Sequence, residues 1–294
     1  MNDFILTLLI NGGVVLCIVG LWAYARYWRR KAAKAFLQHA VACYKKEDRE
    51  ELAGQAVMAG SRHAGLLYAL TCPERFDIVR PMRAFRFGKI RCVCAGYYFP
   101  QRYESWLRDD QADFVQDVYA FKDGKELCED YFSQAFEVLS VHENVTAVFM
   151  PCSTSERYYR RFAKIARYLE RHGYALSGLH LIEIIRNRES KHTATQRSSI
   201  DTANYSMSLA LQGKKVVIVD DLLTTGSSLA GFARNLERIG AEVIGAVFLA
   251  RTFQVPSWRK VCWMVWKWRK RSIPTHLERH NPPTIIAKMG LKRA

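Results

Sequence analysis

Two adjacent carboxylates followed by a cluster of hydroxyl side chains are the residues of this chain best suited to chemistry. Asp220 and Asp221 end an apolar run at residues 216–219, and after two leucines come Thr224, Thr225, Gly226, Ser227 and Ser228. A helix then begins, its apolar face made of Leu229, Phe232, Ala233, Leu236 and Ile239. The first amides of a helix have no partner within it, and the helix dipole favours negative charge at that end. With hydroxyl donors added, such a turn is an anion site of the kind that seats a phosphate. Gly226 lets an oxyanion approach the main chain with no Cβ in the way. Two acids beside a phosphate cradle would repel the phosphate unless they served other groups. Sugar hydroxyls or a divalent cation are the natural partners, so Asp220 and Asp221 are also candidate metal ligands.

The elements around this turn alternate. Apolar runs at residues 145–150, 216–221 and 242–250 read as strands. A helix over residues 156–172 is closed by Gly173, and one over residues 227–239 by Gly240. A strand-like stretch at residues 180–185 precedes a polar loop at 186–205, and residues 90–99 suit a further strand. Residues 110–139 read as a helix interrupted near Asp123 and Gly124, and residues 35–70 as helical without proline. Strands alternating with helices predict an α/β domain built on a mostly parallel sheet flanked by helices. Ligands in such sheets sit beyond the carboxyl ends of the strands, where the acids and hydroxyls fall.

The run VVIVDDLLTTGSSL resembles the signature of type I phosphoribosyltransferases. The resemblance covers residues 90–252 and is nearest to the competence-associated, ComF-like branch. It implies that Asp220 and Asp221 hold the ribose hydroxyls of phosphoribosyl pyrophosphate and that residues 224–228 take its 5-phosphate. It also implies a pyrophosphate loop at Pro151, Cys152, Ser153 and Thr154, assisted by Arg157 and Arg160. Arg161 and Ala163 depart from that branch, which has glycine and asparagine at these places. Arg186, Arg188, Thr193 and Gln196 resemble the family's closing loop, which adds Arg186 and Arg188 to the catalytic candidates and Gln196 to the substrate-binding ones. Lys122 and Gly124 loosely resemble a further Lys-x-x-Gly element. The resemblance implies a Mg²⁺-dependent transfer of phosphoribosyl to or from an unidentified nitrogenous base or nucleotide. The alternative is a non-catalytic sensor of phosphoribosyl pyrophosphate or a nucleotide, linked to DNA uptake or phage defence. The altered positions 161 and 163 favour that alternative, because catalysis needs such residues more than binding does.

The ends of the chain read differently from its middle. The 294 residues carry a formal charge of +16, concentrated in Arg26, Arg29, Arg30, Lys31 and Lys34 and in the last forty or so residues, which leaves residues 35–253 close to neutral. Residues 4–24 are free of charge and predict a membrane-spanning helix, with the basic cluster after it placing the body on the cytoplasmic side and the short amino end outside. A cleaved signal peptide would instead place basic residues before the apolar stretch. The expected organisation is therefore an anchor and basic segment at 1–34, a helical linker at 35–89, a phosphoribosyltransferase-like domain at 90–253 and a basic tail at 254–294. In that tail Trp258, Trp263, Trp266 and Trp268 interleave with Lys and Arg, a composition suited to membrane lipids or to single-stranded nucleic acid, or to packing on the domain or on a second subunit of a homo-oligomer. Eight cysteines show no pairing at zinc-ligand spacing and read as reduced, mostly buried thiols.

Overall fold

The computed structural model describes residues 2–76, 82–141, 144–186 and 204–271. Three helices come first, α1 (Asn2–Ala42), α2 (Lys46–Met58) and α3 (Arg62–Thr71). Strands β1 (Phe85–Phe87) and β2 (Ile90–Tyr98) come after them, then helices α4 (Asp109–Lys122) and α5 (Glu129–Leu139). The next stretch holds β3 (Thr146–Phe149), α6 (Ser155–Arg171), β4 (Leu176–Ser177) and β5 (Ile182–Ile184). The described chain ends with β6 (Tyr205–Met207), β7 (Lys215–Leu223), α7 (Ser227–Arg238), β8 (Glu242–Thr252) and α8 (Trp258–Arg271).

Six strands form one sheet in the order β1-β2-β8-β7-β3-β4, and β5 with β6 makes a separate antiparallel pair. All pairings in the large sheet are parallel except that of β1 with β2. The α/β expectation holds, with a mixed sheet. Val216, Val217, Ile218 and Val219 are all fully buried, as a strand covered on both faces requires. Helix α6 is fixed against the sheet by aromatic packing: Phe162 of α6 lies 5.1 Å from Phe149 of β3 and 6.2 Å from Phe121 of α4, centroid to centroid.

A second core joins the two ends of the described chain. Val57, Leu67 and Leu70 of α2 and α3 pack with Val261 and Val265 of α8, and with Tyr97, Phe99 and Phe253 where β2 and β8 end. Gly65 gives the Trp258 ring room to lie on α3. The Arg75 guanidinium sits 4.4 Å from the Trp268 ring and reaches Glu50 and the Tyr68 hydroxyl. The carbonyls of Ala40 and Val41 at the end of α1 accept from Arg49, which is only 5% exposed. The tail therefore begins as a packed helix: Trp258 and Trp268 lie against the helical body, whereas Trp263 and Trp266 are about half exposed. Residues 272–294 lie outside the described residues.

The expected membrane span is overturned. Among the described residues no helix is long and apolar enough to cross a membrane. The α1 helix is long, but from Arg26 onward it carries Arg26, Arg29, Arg30, Lys31 and Lys34. With the span go the single-pass topology, the orientation drawn from it and the lipid contacts of an anchor.

Candidate active site

The two loops that carry the candidate residues start side by side. Phe149 pairs with Val219 in parallel register, and the Met150 N–H donates to the Val219 carbonyl at 3.0 Å. The chain leaving β3 therefore runs next to the chain leaving β7, at the carboxyl edge of the sheet.

On the β7 side, Asp220 is partly buried and Asp221 is 8% exposed. The Asp221 N–H donates to Asp220 Oδ1 at 2.9 Å. Burial pushes the Asp220 carboxyl well above the usual carboxylate range, and the neighbouring Asp221 charge adds to the rise, while Arg161 opposes it. Beyond the acids, Thr224, Thr225 and Ser227 are exposed, Ser228 is partly buried, and the Thr225 and Ser227 hydroxyls lie 3.1 Å apart. Gly226 has a φ of +80°, in the left-handed region that disfavours a side chain, and a Cβ there would also overlap the Phe87 ring. The first turn of α7 starts from it, with the Ala230 N–H donating to the Gly226 carbonyl at 2.9 Å.

On the β3 side, Pro151 and Cys152 are buried and Ser153 and Thr154 partly so. Thr154 caps α6, its Oγ1 accepting from the Arg157 N–H at 3.2 Å. The Arg157 side chain folds back over the same loop, Nη1 donating to Ser153 Oγ at 3.1 Å. Arg160 instead faces outward, 3.6 Å from Glu156 one turn earlier. Of the arginines on this helix, the one that meets the acid pair is Arg161: its Nη1 lies 3.2 Å from Asp221 Oδ2, and both side chains are nearly buried. Its Nε donates to the Lys122 carbonyl at 3.3 Å. Burial works against the Arg161 charge, but Asp221, and with it Cys152, Asp220 and Asp123, more than restores it. The turn after α4 is pressed against α6 at this place, since a Cβ on Gly124, at φ +72°, would overlap the Arg160 carbonyl oxygen.

Arg186 comes after β5 and is exposed, its N–H donating to the Asn204 carbonyl at 3.4 Å. The β5–β6 pair is tied to α7 through Asn235 Nδ2, which donates to the Tyr205 hydroxyl at 2.7 Å. Arg188, Thr193 and Gln196 lie outside the described residues. The sequence resemblance points to Arg157 and Arg160 and makes Arg161 a departure, whereas the structure brings Arg157 and Arg161 to the loops and leaves Arg160 outside. Residues 157 and 160 stand at i,i+3 and residues 157 and 161 at i,i+4, so helical spacing alone does not separate Arg160 from Arg161.

An acid pair at the end of a covered strand, a hydroxyl-rich turn opening a helix and a second small-residue loop beside it can together hold a sugar bearing phosphates at two positions. Comparison with known proteins agrees. Residues 158–280 match the family model described as phosphoribosyl transferase domain. Similar stretches occur in proteins named adenine phosphoribosyltransferase. The protein from Rhizobium johnstonii is 54% identical over 37 residues, 13% of this chain and 21% of that protein. The one from Gluconacetobacter diazotrophicus is 38% identical over 58 residues, 20% of this chain and 33% of that protein. The one from Myxococcus xanthus is 46% identical over 39 residues, 13% of this chain and 21% of that protein. The chain thus spans between a fifth and a third of the length of these curated relatives, and the matches support a phosphoribosyltransferase.

Proposed function

We propose that this protein is a phosphoribosyltransferase that takes phosphoribosyl pyrophosphate and joins its phosphoribosyl group to a nitrogenous base. The observation that carries this reading is the meeting of two neighbouring loops at the carboxyl edge of β3 and β7, one with an acid pair and a hydroxyl turn, the other with Ser153, Thr154 and Arg157. In the reaction the bond from C1 of the ribose to pyrophosphate breaks, the leaving group keeps the electron pair, and a base nitrogen bonds to C1 and gives up its proton. Positive charge grows on the ribose as this happens, so the protein acts by positioning and electrostatics. Asp220 and Asp221 hold the ribose hydroxyls, residues 224–228 the 5-phosphate, and residues 151–154 with Arg157 the pyrophosphate. Arg186 follows β5, and Arg188 and Gln196 lie outside the described residues.

Among the described residues no three His, Cys, Asp or Glu side chains gather to hold a metal ion, so a cage made by protein alone does not suit this site. An ion shared with the substrate does suit it, because Mg²⁺ takes one or two carboxylates and fills its shell with phosphate oxygens and water. Asp220 and Asp221 would hold it. Bound there, Mg²⁺ supplies positive charge to the departing pyrophosphate.

The names of the relatives make adenine the first acceptor to try. The ComF-like assignment rests on the loop at residues 151–154 with Arg157 and Arg160, and on the likeness of Arg186, Arg188, Thr193 and Gln196 to that branch's closing loop. The test is release of pyrophosphate from phosphoribosyl pyrophosphate by the full chain with Mg²⁺, against adenine and a panel of other bases, with Asp220→Asn and Asp221→Asn alongside. Base-dependent release that both substitutions abolish supports the reading. Tight binding with no release for any base would favour the sensor, which the commitment of Asp221 to Arg161 already gives some ground for.

A further inference from the structure

Helix α6 presents two faces of opposite character at its amino-terminal half. Glu156 and Arg160 lie one turn apart, pair with each other and are open to water. Arg157 and Arg161 also lie one turn apart, and each reaches a loop of the site, Arg157 from an exposed position and Arg161 from a nearly buried one. Arg157 reaches the Ser153 hydroxyl in one loop, and Arg161 reaches the Asp221 carboxylate in the other.

We propose that Arg161 is a positioning residue that works through Asp221: it fixes that carboxylate at the site and supplies the cation that lets two adjacent acids stand beside a polyanionic sugar phosphate. This rests on the function proposed above and assigns to that site a residue outside its two loops. Three observations carry it. The guanidinium is held at two separate atoms, Nη1 to Asp221 Oδ2 and Nε to the Lys122 carbonyl, which fixes its plane as a single contact would not. Both partners are nearly buried, and a buried ion pair is a poor source of stability on its own, so its position beside the ligand loops calls for another account. Asp220 stands next to Asp221, its Oδ1 accepting the Asp221 N–H at 2.9 Å, so the guanidinium paired with one carboxylate lies beside both. Cys152 and Asp123 also lie near the guanidinium, and neither is a cation.

The test is calorimetric binding of phosphoribosyl pyrophosphate with Mg²⁺ to the full-length protein and to Arg161→Gln, Asp221→Asn and the double variant, with Arg161→Lys as the conservative control. Arg161→Gln is expected to weaken binding about 10- to 100-fold, the range set by losing a charged hydrogen bond. Arg161→Lys keeps the cation and loses the second contact, so part of that affinity returns. If Arg161 acts through Asp221, the double variant binds no worse than Asp221→Asn alone. Folding is checked by thermal unfolding, and all binding is measured well below the lowest midpoint. Additive losses in the double variant, or full affinity in Arg161→Gln, overturn the inference while the functional proposal stands. A parent protein that binds no phosphoribosyl pyrophosphate removes the functional proposal, and the role given to Arg161 falls with it.

Discussion

The ring of Phe87 occupies the space that a Cβ on Gly226 would need. The last residue of the edge strand β1 therefore closes one side of the hydroxyl turn that opens α7. Gly226→Ala meets two separate penalties, the ring and a φ of +80°. The backbone alone costs about 1–2 kcal/mol. Phe87→Ala in the same chain should return the steric part and leave the backbone part. Chemical denaturation of the two single variants and the double one separates them. A Gly226→Ala protein as stable as the parent would mean that the turn has another conformation.

The two acids should respond in opposite ways to neutralisation. Asp221→Asn leaves a nearly buried guanidinium without its counter-charge, and breaking such a pair costs about 3–5 kcal/mol. Asp220→Asn removes a carboxyl whose folded-state proton affinity is raised by burial and by Asp221. A raised value means that the folded state binds more protons than the unfolded one, so Asp220 lowers stability as pH rises from the ordinary value of about 4 toward the folded one. The unfolding midpoint of Asp220→Asn should equal or exceed that of the parent at pH 8, with the gap narrowing by pH 5. A lower midpoint at pH 8 would contradict this.

The exposed hydroxyls of the turn are expected to matter for ligand and not for folding. Thr225 and Ser227 are both solvent-exposed and face each other at 3.1 Å. Removing either as alanine should raise the KM for phosphoribosyl pyrophosphate by about ten-fold, the worth of one hydrogen bond to a charged group, and should move stability by no more than about 0.5 kcal/mol. An unchanged KM in Thr225→Ala together with Ser227→Ala would take the phosphate away from this turn.

Thiol chemistry offers a check on the packing. Cys72, Cys92, Cys94 and Cys152 are buried, and Cys17 is exposed. Burial, with help from Glu50, raises the Cys72 thiol beyond the usual cysteine range, and burial pushes Cys92 up to about 12. A buried neutral thiol reacts slowly because the thiolate is the nucleophile. Titration of the native protein with Ellman's reagent should find Cys17 fast and these four slow, and denaturant should release all eight. Rapid native labelling of Cys72 or Cys92 would count against the two cores.

What the sequence revealed and what it hid have physical causes. The β7 run could be read because a strand covered on both faces must be continuously apolar, and α6 and α7 because each is amphipathic and closed by a glycine. Strands β1 and β6 are three residues each, too short for any period to show, whereas β5 falls within the stretch at 180–185 that reads as a strand. The Trp and Lys content of residues 258–271 resembles a surface segment, yet Val261, Met264 and Val265 sit at helical spacing and are buried. Composition draws attention to the rings, and spacing gives the helix. The inward turn of Arg161 depends on how α6 is rotated against β7, a tertiary fact that a run of similar arginines does not disclose.

Strands β2 and β8 run past the sheet proper, and the aromatic groups at their ends, Tyr97, Phe99 and Phe253, are roofed by helices drawn from opposite ends of the polypeptide. Anyone trimming this gene down to its catalytic portion would strip that roof and leave three rings facing water, an invitation to clumping. Expression should retain both flanks, and insolubility of a pared-down version would say nothing against the chemistry.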